Sequence, residues 1–206
     1  MPYKSKLTYK KTFIGTEYQL KKSIWDLFPG TSKADFIYRV NNKSIYLVSQ
    51  QQPLDVSGLW NIESTLPYNP QVYEGLSLEF IIRMNPVYDR NGDRYSIIED
   101  YIYDLKKAHM SRDKWPNGDM IRHNACSKWF KIQENIRGFK VEEFMVEGHQ
   151  VNEIFNDRTG SLMKFVVLDI RGVLTVTNPE DFLTTLMKGI GKGRRFGYGM
   201  FMVKGV

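Results

Sequence analysis

The sequence predicts an α+β protein of two tandem ferredoxin-like (RRM-like, βαββαβ) domains that ends in a C-terminal glycine-rich loop. Three observations lead there. Short β-rich runs alternate apolar and polar residues, and a few segments of helical period interrupt them. The first half runs strand, helix, hairpin, irregular segment, strand, the order of a βαββαβ unit with a degraded second helix. The second half closes as strand, helix, strand, as a second unit of that kind would. With 206 residues, 42% of them apolar and including 12 Tyr, 12 Phe and 4 Trp, the chain is long enough for one large core or two small ones.

Residues 5–13 mix Leu, Thr, Tyr and Phe with Lys and read as the first strand, broken at Gly15. Thr16 and Gln19 have capping-box spacing, so a helix begins near Glu17. Leu20, Ile24, Leu27 and Phe28 form its apolar stripe, and Pro29-Gly30 stops it. Tyr18 and Lys21 stand three apart and so are neighbours on that helix, with Lys22 beside them off the stripe. Residues 36–40 and 45–48 form a hairpin across Asn41-Asn42. Residues 50–73, with prolines at 53, 67 and 70, are expected to be irregular or at most a short helix. Residues 76–84 are expected as the strand that closes the first domain, and the turn-rich stretch 88–95 as the boundary. The domains are then 1–90, carrying the helix with Lys21, and 91–206.

Past that boundary, helices are expected over 97–107 and, after the turn Trp115-Pro-Asn-Gly118, over about 120–136. A strand over 140–146, a turn at 156–160 and a long strand over 162–176 follow, with a bulge or bend at Arg171-Gly172. Asn178-Pro179-Glu180-Asp181 combines a cap, a proline at the first helical position and acids against the positive end of the dipole. That helix runs to Lys188 and closes at Gly189; the last strand is expected over 198–203.

Between them lies Gly189-Ile-Gly-Lys-Gly-Arg-Arg-Phe-Gly-Tyr-Gly-Met-Phe201, five glycines among Lys192, Arg194 and Arg195 with no acid. Glycine backbone at Gly191 and Gly193 can bring N–H groups onto an anion, and the cations add charge and donors for phosphate. A flexible turn between helix and strand is the plainer alternative. A nucleotide-binding P-loop is excluded, because no G-x-x-x-x-G-K-[ST] occurs.

The net charge of +6 is lopsided: residues 1–24 carry +5, residues 187–206 carry +5, and the middle sums to −4. If the fold brings the two ends together, one face is positive and suits a polyanionic chain. Cys126 stands alone, which excludes an intramolecular disulfide and a cysteine zinc site. No run approaches the roughly 18 apolar residues of a membrane helix, and the N-terminus lacks a signal-like apolar stretch, so an intracellular protein is expected. His109, His123 and His149 have no partner at metal or triad spacing and read as surface or hydrogen-bonded residues, His123 beside Arg122 being the one of most interest. Neither a metal nor a small-molecule cofactor is expected.

Three blocks stand out together: Tyr18-Gln-Leu-Lys-Lys-Ser-Ile-Trp-Asp-Leu-Phe-Pro29, Leu78-Glu-Phe-Ile-Ile-Arg-Met-Asn-Pro86, and Arg171-Gly-Val-Leu-Thr-Val176 followed by the 179–188 helix and the glycine-rich loop. In order and spacing they resemble the CasE family, the type I-E pre-crRNA endoribonucleases of the CRISPR RAMP superfamily; residues 87–155 match least. The resemblance implies tandem ferredoxin-like domains that bind a CRISPR repeat hairpin and cut at its base. It further implies a metal-free cut by the neighbouring 2′-OH, and retention of the mature guide RNA (crRNA) beside other subunits of a Cascade-type complex. A prokaryotic cytoplasmic protein without membrane contact follows. Arg158 and Lys164 flank the 156–160 turn, whose family counterpart is a hairpin on the RNA stem.

One departure matters. The family carries a catalytic His three residues after a Tyr; here Tyr18 is present and Lys21 takes the His position. An unperturbed lysine, with pKa about 10.4, is a poor base. Its ammonium can still stabilise charge on a phosphorane or protonate a leaving 5′-oxygen. Lys21, helped by Lys22, is therefore expected to serve charge stabilisation, and Tyr18 to position the ribose. Two alternatives remain: a subunit that holds the hairpin without cutting, and an unrelated single-strand RNA binder of the same fold.

Overall fold

The computed structural model describes residues 1–11, 13, 15–31, 35–90, 92–157 and 159–206. In the first unit, β1 (Tyr3–Tyr9) leads into α1 (Glu17–Trp25), then β2 (Phe36–Asn41), β3 (Ser44–Ser49) and β4 (Trp60–Pro67). The four strands pair antiparallel in the order β2-β3-β1-β4. The capping box is formed: the Thr16 hydroxyl accepts from the Gln19 amide, and the Gln19 side chain accepts from the Thr16 amide. Ile24, Leu27 and Phe28 bury their side chains against Leu7, Tyr38, Ile45, Leu47 and Trp60, and the Trp60 indole donates to the Ser23 carbonyl at 3.3 Å. Asn42 turns the β2–β3 hairpin at φ 52°, a conformation that Asn tolerates better than most residues.

The second unit begins earlier than the sequence suggests. Strand β5 (Ser77–Met84) does not close the first sheet. It lies inside the second, which has the order β10-β5-β9-β8. The sheets therefore part between Pro67 and Ser77, not at residue 90. Alternation of Leu78, Phe80, Ile82 and Met84 specifies one buried face but not which helices cover it. The strand that completes the first sheet is β4, inside the segment expected to be irregular. Its prolines at 53 and 70 lie outside it and Pro67 is its last residue, so they bracket the strand without interrupting its ladder.

After β5 come the hairpin β6 (Val87–Arg90) and β7 (Asp93–Ser96), α2 (Ile97–Lys107), α3 (Gly118–Arg137), β8 (Phe139–Asn156), β9 (Ser161–Val176), α4 (Pro179–Lys188) and β10 (Phe201–Gly205). With β5 as first strand, this is a full βαββαβ unit. Phe80, Phe130, Phe139, Phe182 and Phe201 pack edge to face in its core, with centroids 5.5–6.5 Å apart. Strand β8 is far longer than the expected 140–146 and pairs with β9 as far as Asn156↔Ser161. The register shifts lie on β8, at Val141/Glu143 and Val146/Gly148, and not at Arg171-Gly172. Gly172 is there for clearance: a Cβ would sit 2.9 Å from the Phe144 Cα. The last strand starts at Phe201 because residues just before it close the loop, where the Ile190 amide donates to the Gly199 carbonyl at 3.0 Å.

The units join where the helix-free face of the first sheet meets the second. Ile37 and Val48 pack on Met200, with Met187 alongside. The Tyr38 hydroxyl donates to the Arg195 carbonyl at 3.1 Å. Arg83 grips Asp169 with two 2.8 Å hydrogen bonds, and Arg39 lies 3.7 Å from the same carboxylate. Burial lowers the Arg39 pKa and Arg83 lowers it further, while Asp169 opposes both; its Nε and Nη1 are buried with no hydrogen-bond partner.

Candidate nucleic-acid interface

Helix α1 and the glycine-rich loop come together. Tyr18 and Lys21 stand one turn apart, and the Lys21 ammonium lies 4.7 Å from the Tyr18 ring centroid. The same ammonium lies 5.5 Å from the ring of Phe196, which ends the short 3-10 turn Arg194–Phe196 of the loop. A lysine between two aromatic faces has its position restricted by cation–π attraction. Lys22 is exposed on the next position of the helix. Lys192, Arg194 and Arg195 are exposed on the loop, and the basic N-terminal end of the chain reaches that loop where Lys21 meets Phe196.

The loop glycines are also required by packing. Gly189, Gly191, Gly193, Gly197 and Gly199 all have positive φ, between 65° and 85°. Most also lack room for a side chain: a Cβ on Gly193 would sit 2.8 Å from Tyr198, and one on Gly197 2.9 Å from Tyr38. Several loop amides are spent internally, those of Lys192 on Asn85, Gly197 on Arg194 and Gly199 on Arg83. The loop is a folded plug between the units whose outward side chains are the cations. Arg194 also donates to the Lys188 carbonyl at 3.0 Å, which caps the C-terminus of α4.

Lys164 sits out on the β8–β9 hairpin, paired with Glu153 across the strands at 2.9 Å. Arg158 lies outside the described residues. The three histidines are elsewhere: His123 stacks flat on Phe144 with centroids 4.4 Å apart, His149 is on β8 with its pKa lowered by burial and then by Arg122, and His109 follows α2. Cys126 is core, and burial pushes its thiol up to about 12. Phe201 is buried, and Phe13 and Phe36 are half-buried. Among the described residues no group of three or more His, Cys, Asp or Glu could hold a metal ion, and no helix is long and apolar enough to cross a membrane.

Sequence reasoning missed Phe196, which packs against the Lys21 ammonium, and the Arg39–Asp169–Arg83 cluster. Arg83 had a readable signal, a cation in an otherwise apolar strand. Phe196 had none beyond its place between Arg195 and Gly197.

The two βαββαβ units, joined through the glycine-rich loop, define a tandem ferredoxin-like fold, and the chain belongs to the CRISPR associated protein family, whose model matches residues 5–204. It is 23% identical over 208 residues to the Cascade subunit CasE of Escherichia coli K12, covering 96% of both chains. Among solved structures it is similar to Thermus thermophilus Cse3 bound to an RNA representing a pre-cleavage complex, with TM-score 0.72, 17% identity and 98% of each chain covered. It is also similar to Escherichia coli K-12 Cas6e, with TM-score 0.66, 18% identity, 99% of this chain and 100% of that one. The resemblance read from the sequence is borne out at the level of the family and of the tandem ferredoxin-like fold.

Proposed function

We propose that this protein is a pre-crRNA processing endoribonuclease of the prokaryotic cytoplasm. It binds the repeat hairpin, cuts at its base without a metal, and stays with the mature crRNA in a Cascade-type complex. The observation that carries this reading is the placement of Lys21 between Tyr18 and Phe196, beside a loop of exposed cations. The curated relative is a Cascade subunit, and a similar structure holds RNA before cleavage.

In the reaction, the 2′-OH attacks the adjacent phosphorus while the bond to the 5′-oxygen breaks. The products are a 2′,3′-cyclic phosphate and a 5′-OH. Lys21 faces the non-bridging oxygens, where charge accumulates, and its ammonium gives a proton to the leaving 5′-oxygen, while the proton of the attacking 2′-OH passes to solvent water, which in turn reprotonates the lysine. Tyr18 positions the ribose, and Lys22 adds charge. Lys192, Arg194 and Arg195, with the backbone at Gly191 and Gly193, hold stem phosphates, and Lys164 and Arg158 engage the stem from the hairpin. A-form RNA offers chiefly backbone and shape, so binding is steeply salt-dependent.

The test is incubation with repeat RNA in EDTA. One discrete product ending in a cyclic phosphate is the expected result, and a Lys21→Ala protein that cuts as fast as the parent overturns the assignment. Lysine at the family's histidine position favours one rival, a subunit that holds the hairpin without cutting. In that case the same incubation returns intact RNA bound to protein.

A further inference from the structure

Beside the Lys21 site, a cleft of about 540 Å³ opens between the two units. It shares Phe196 with that site, and Tyr9, Lys43, Arg83, Asn152 and Tyr198 also line it. We infer that this cleft is a subsite for an unpaired nucleotide of the strand flanking the hairpin, next to the point of cleavage. The inference rests on the RNA-processing reading above and adds to it a second binding requirement.

Its lining matches the parts of a nucleotide. Phe196 supplies aromatic surface on which any base can stack, whereas Tyr9, already stacked on Phe13 and Trp60 with centroids 4.9 and 4.5 Å away, adds an apolar wall beside it. The Asn152 amide donates to the Tyr198 hydroxyl at 2.8 Å, which puts a pre-oriented polar pair in the wall for a base edge or a 2′-OH. Arg83 and Lys43 supply positive charge from opposite units. Arg83 is committed to Asp169, but Arg39 crowds the same carboxylate, so two guanidiniums share one counter-ion and a surplus positive charge stands behind the wall. Lys10 also borders the cleft yet is paired with Asp55 at 3.1 Å, so Lys43, exposed at the β2–β3 turn, is the more available cation. Glu17 is an acid in the lining, outnumbered by these bases. An apolar peptide would leave the cations uncompensated, whereas a nucleotide uses both the rings and the charge.

The experiment compares the full chain's affinity, by fluorescence anisotropy, for a repeat hairpin without a flank, with a 5′ flank and with a 3′ flank of a few nucleotides. A flank on one side is expected to tighten binding about tenfold, the scale of one stacked base. Phe196→Leu and Lys43→Gln should each remove most of that gain, with thermal melting unchanged for Lys43→Gln. No gain from either flank, or a gain that both variants retain in full, overturns the subsite. If the unflanked hairpin does not bind at all, the RNA-processing reading falls instead. The cleft is then judged by whether a short unstructured RNA binds with the same dependence on Phe196 and Lys43; independence of both overturns it.

Discussion

The two units share one topology but are not built alike. The second has helices α2, α3 and α4 over its sheet and a core that includes five interlocked phenylalanines. Among its described residues the first has a single α-helix, a smaller core around Trp60 and Tyr38, and an irregular connection where a second helix would lie. What the first unit lacks in layers it regains by docking: Ile37 and Val48 rest on Met200, and Tyr38 is anchored to the loop. The complete unit acts as scaffold, and the sparse one presents the helix that carries Lys21 to it. The Lys21 site therefore depends on the junction more than on either core.

The largest effect should come from breaking the plug. Gly199 has φ 83°, and a Cβ there would run into the Ile190 carbonyl. Gly199→Ala should cost on the order of 3 kcal/mol, lowering the melting temperature by about 6–12 °C and abolishing cleavage. A variant that melts with the parent would show that the loop contributes little to the junction. Next in size, Lys21→Ala should slow single-turnover cleavage by about 10²–10³, as the loss of one charge-stabilising donor does elsewhere, with hairpin affinity within a few-fold of the parent. Equal losses of rate and affinity would instead make Lys21 a binding residue.

A third test probes the charged part of the junction. Asp169→Asn leaves Arg39 and Arg83 facing one another without a counter-ion, at a cost of about 2 kcal/mol once the partial exposure of the cluster is allowed for. The urea midpoint reads this directly, and an unchanged midpoint would mean that solvent already screens the cluster. Tyr38→Phe removes only the bond to the Arg195 carbonyl and should cost about 1 kcal/mol. A few-fold drop in cleavage with it would tie loop anchoring to the site. Smallest, Lys164→Ala breaks an exposed pair with Glu153 and should change stability by under about 0.5 kcal/mol. Its mark should be in RNA binding, where the salt dependence loses about one counterion if Lys164 meets a phosphate.

Much of this architecture was legible because it is local. Thr16 and Gln19 close a box within one turn, and Asn178-Pro179 starts α4 with groups only a few residues apart. Asn42 turns its hairpin without help from the rest of the chain. The pairing of β5 was not legible, because alternation declares a buried face and is silent about the partner sheet. The long β8 was cut short for a related reason: much of its outer half is exposed on the β-hairpin, so no core face marks it out.

The candidate site divides along the same line. Sequence alone supplied Tyr18 and Lys21 on one face of a capped helix, and a glycine-rich loop with three cations, since spacing and backbone freedom are properties of the chain itself. Only the tertiary structure decided that Phe196 lies against Lys21, that the loop glycines are consumed by packing, and that Arg39 and Arg83 compete for Asp169. Those contacts join residues far apart in sequence, and their proximity follows from how two sheet faces dock, which depends on the fit of many side chains at once and not on any local pattern.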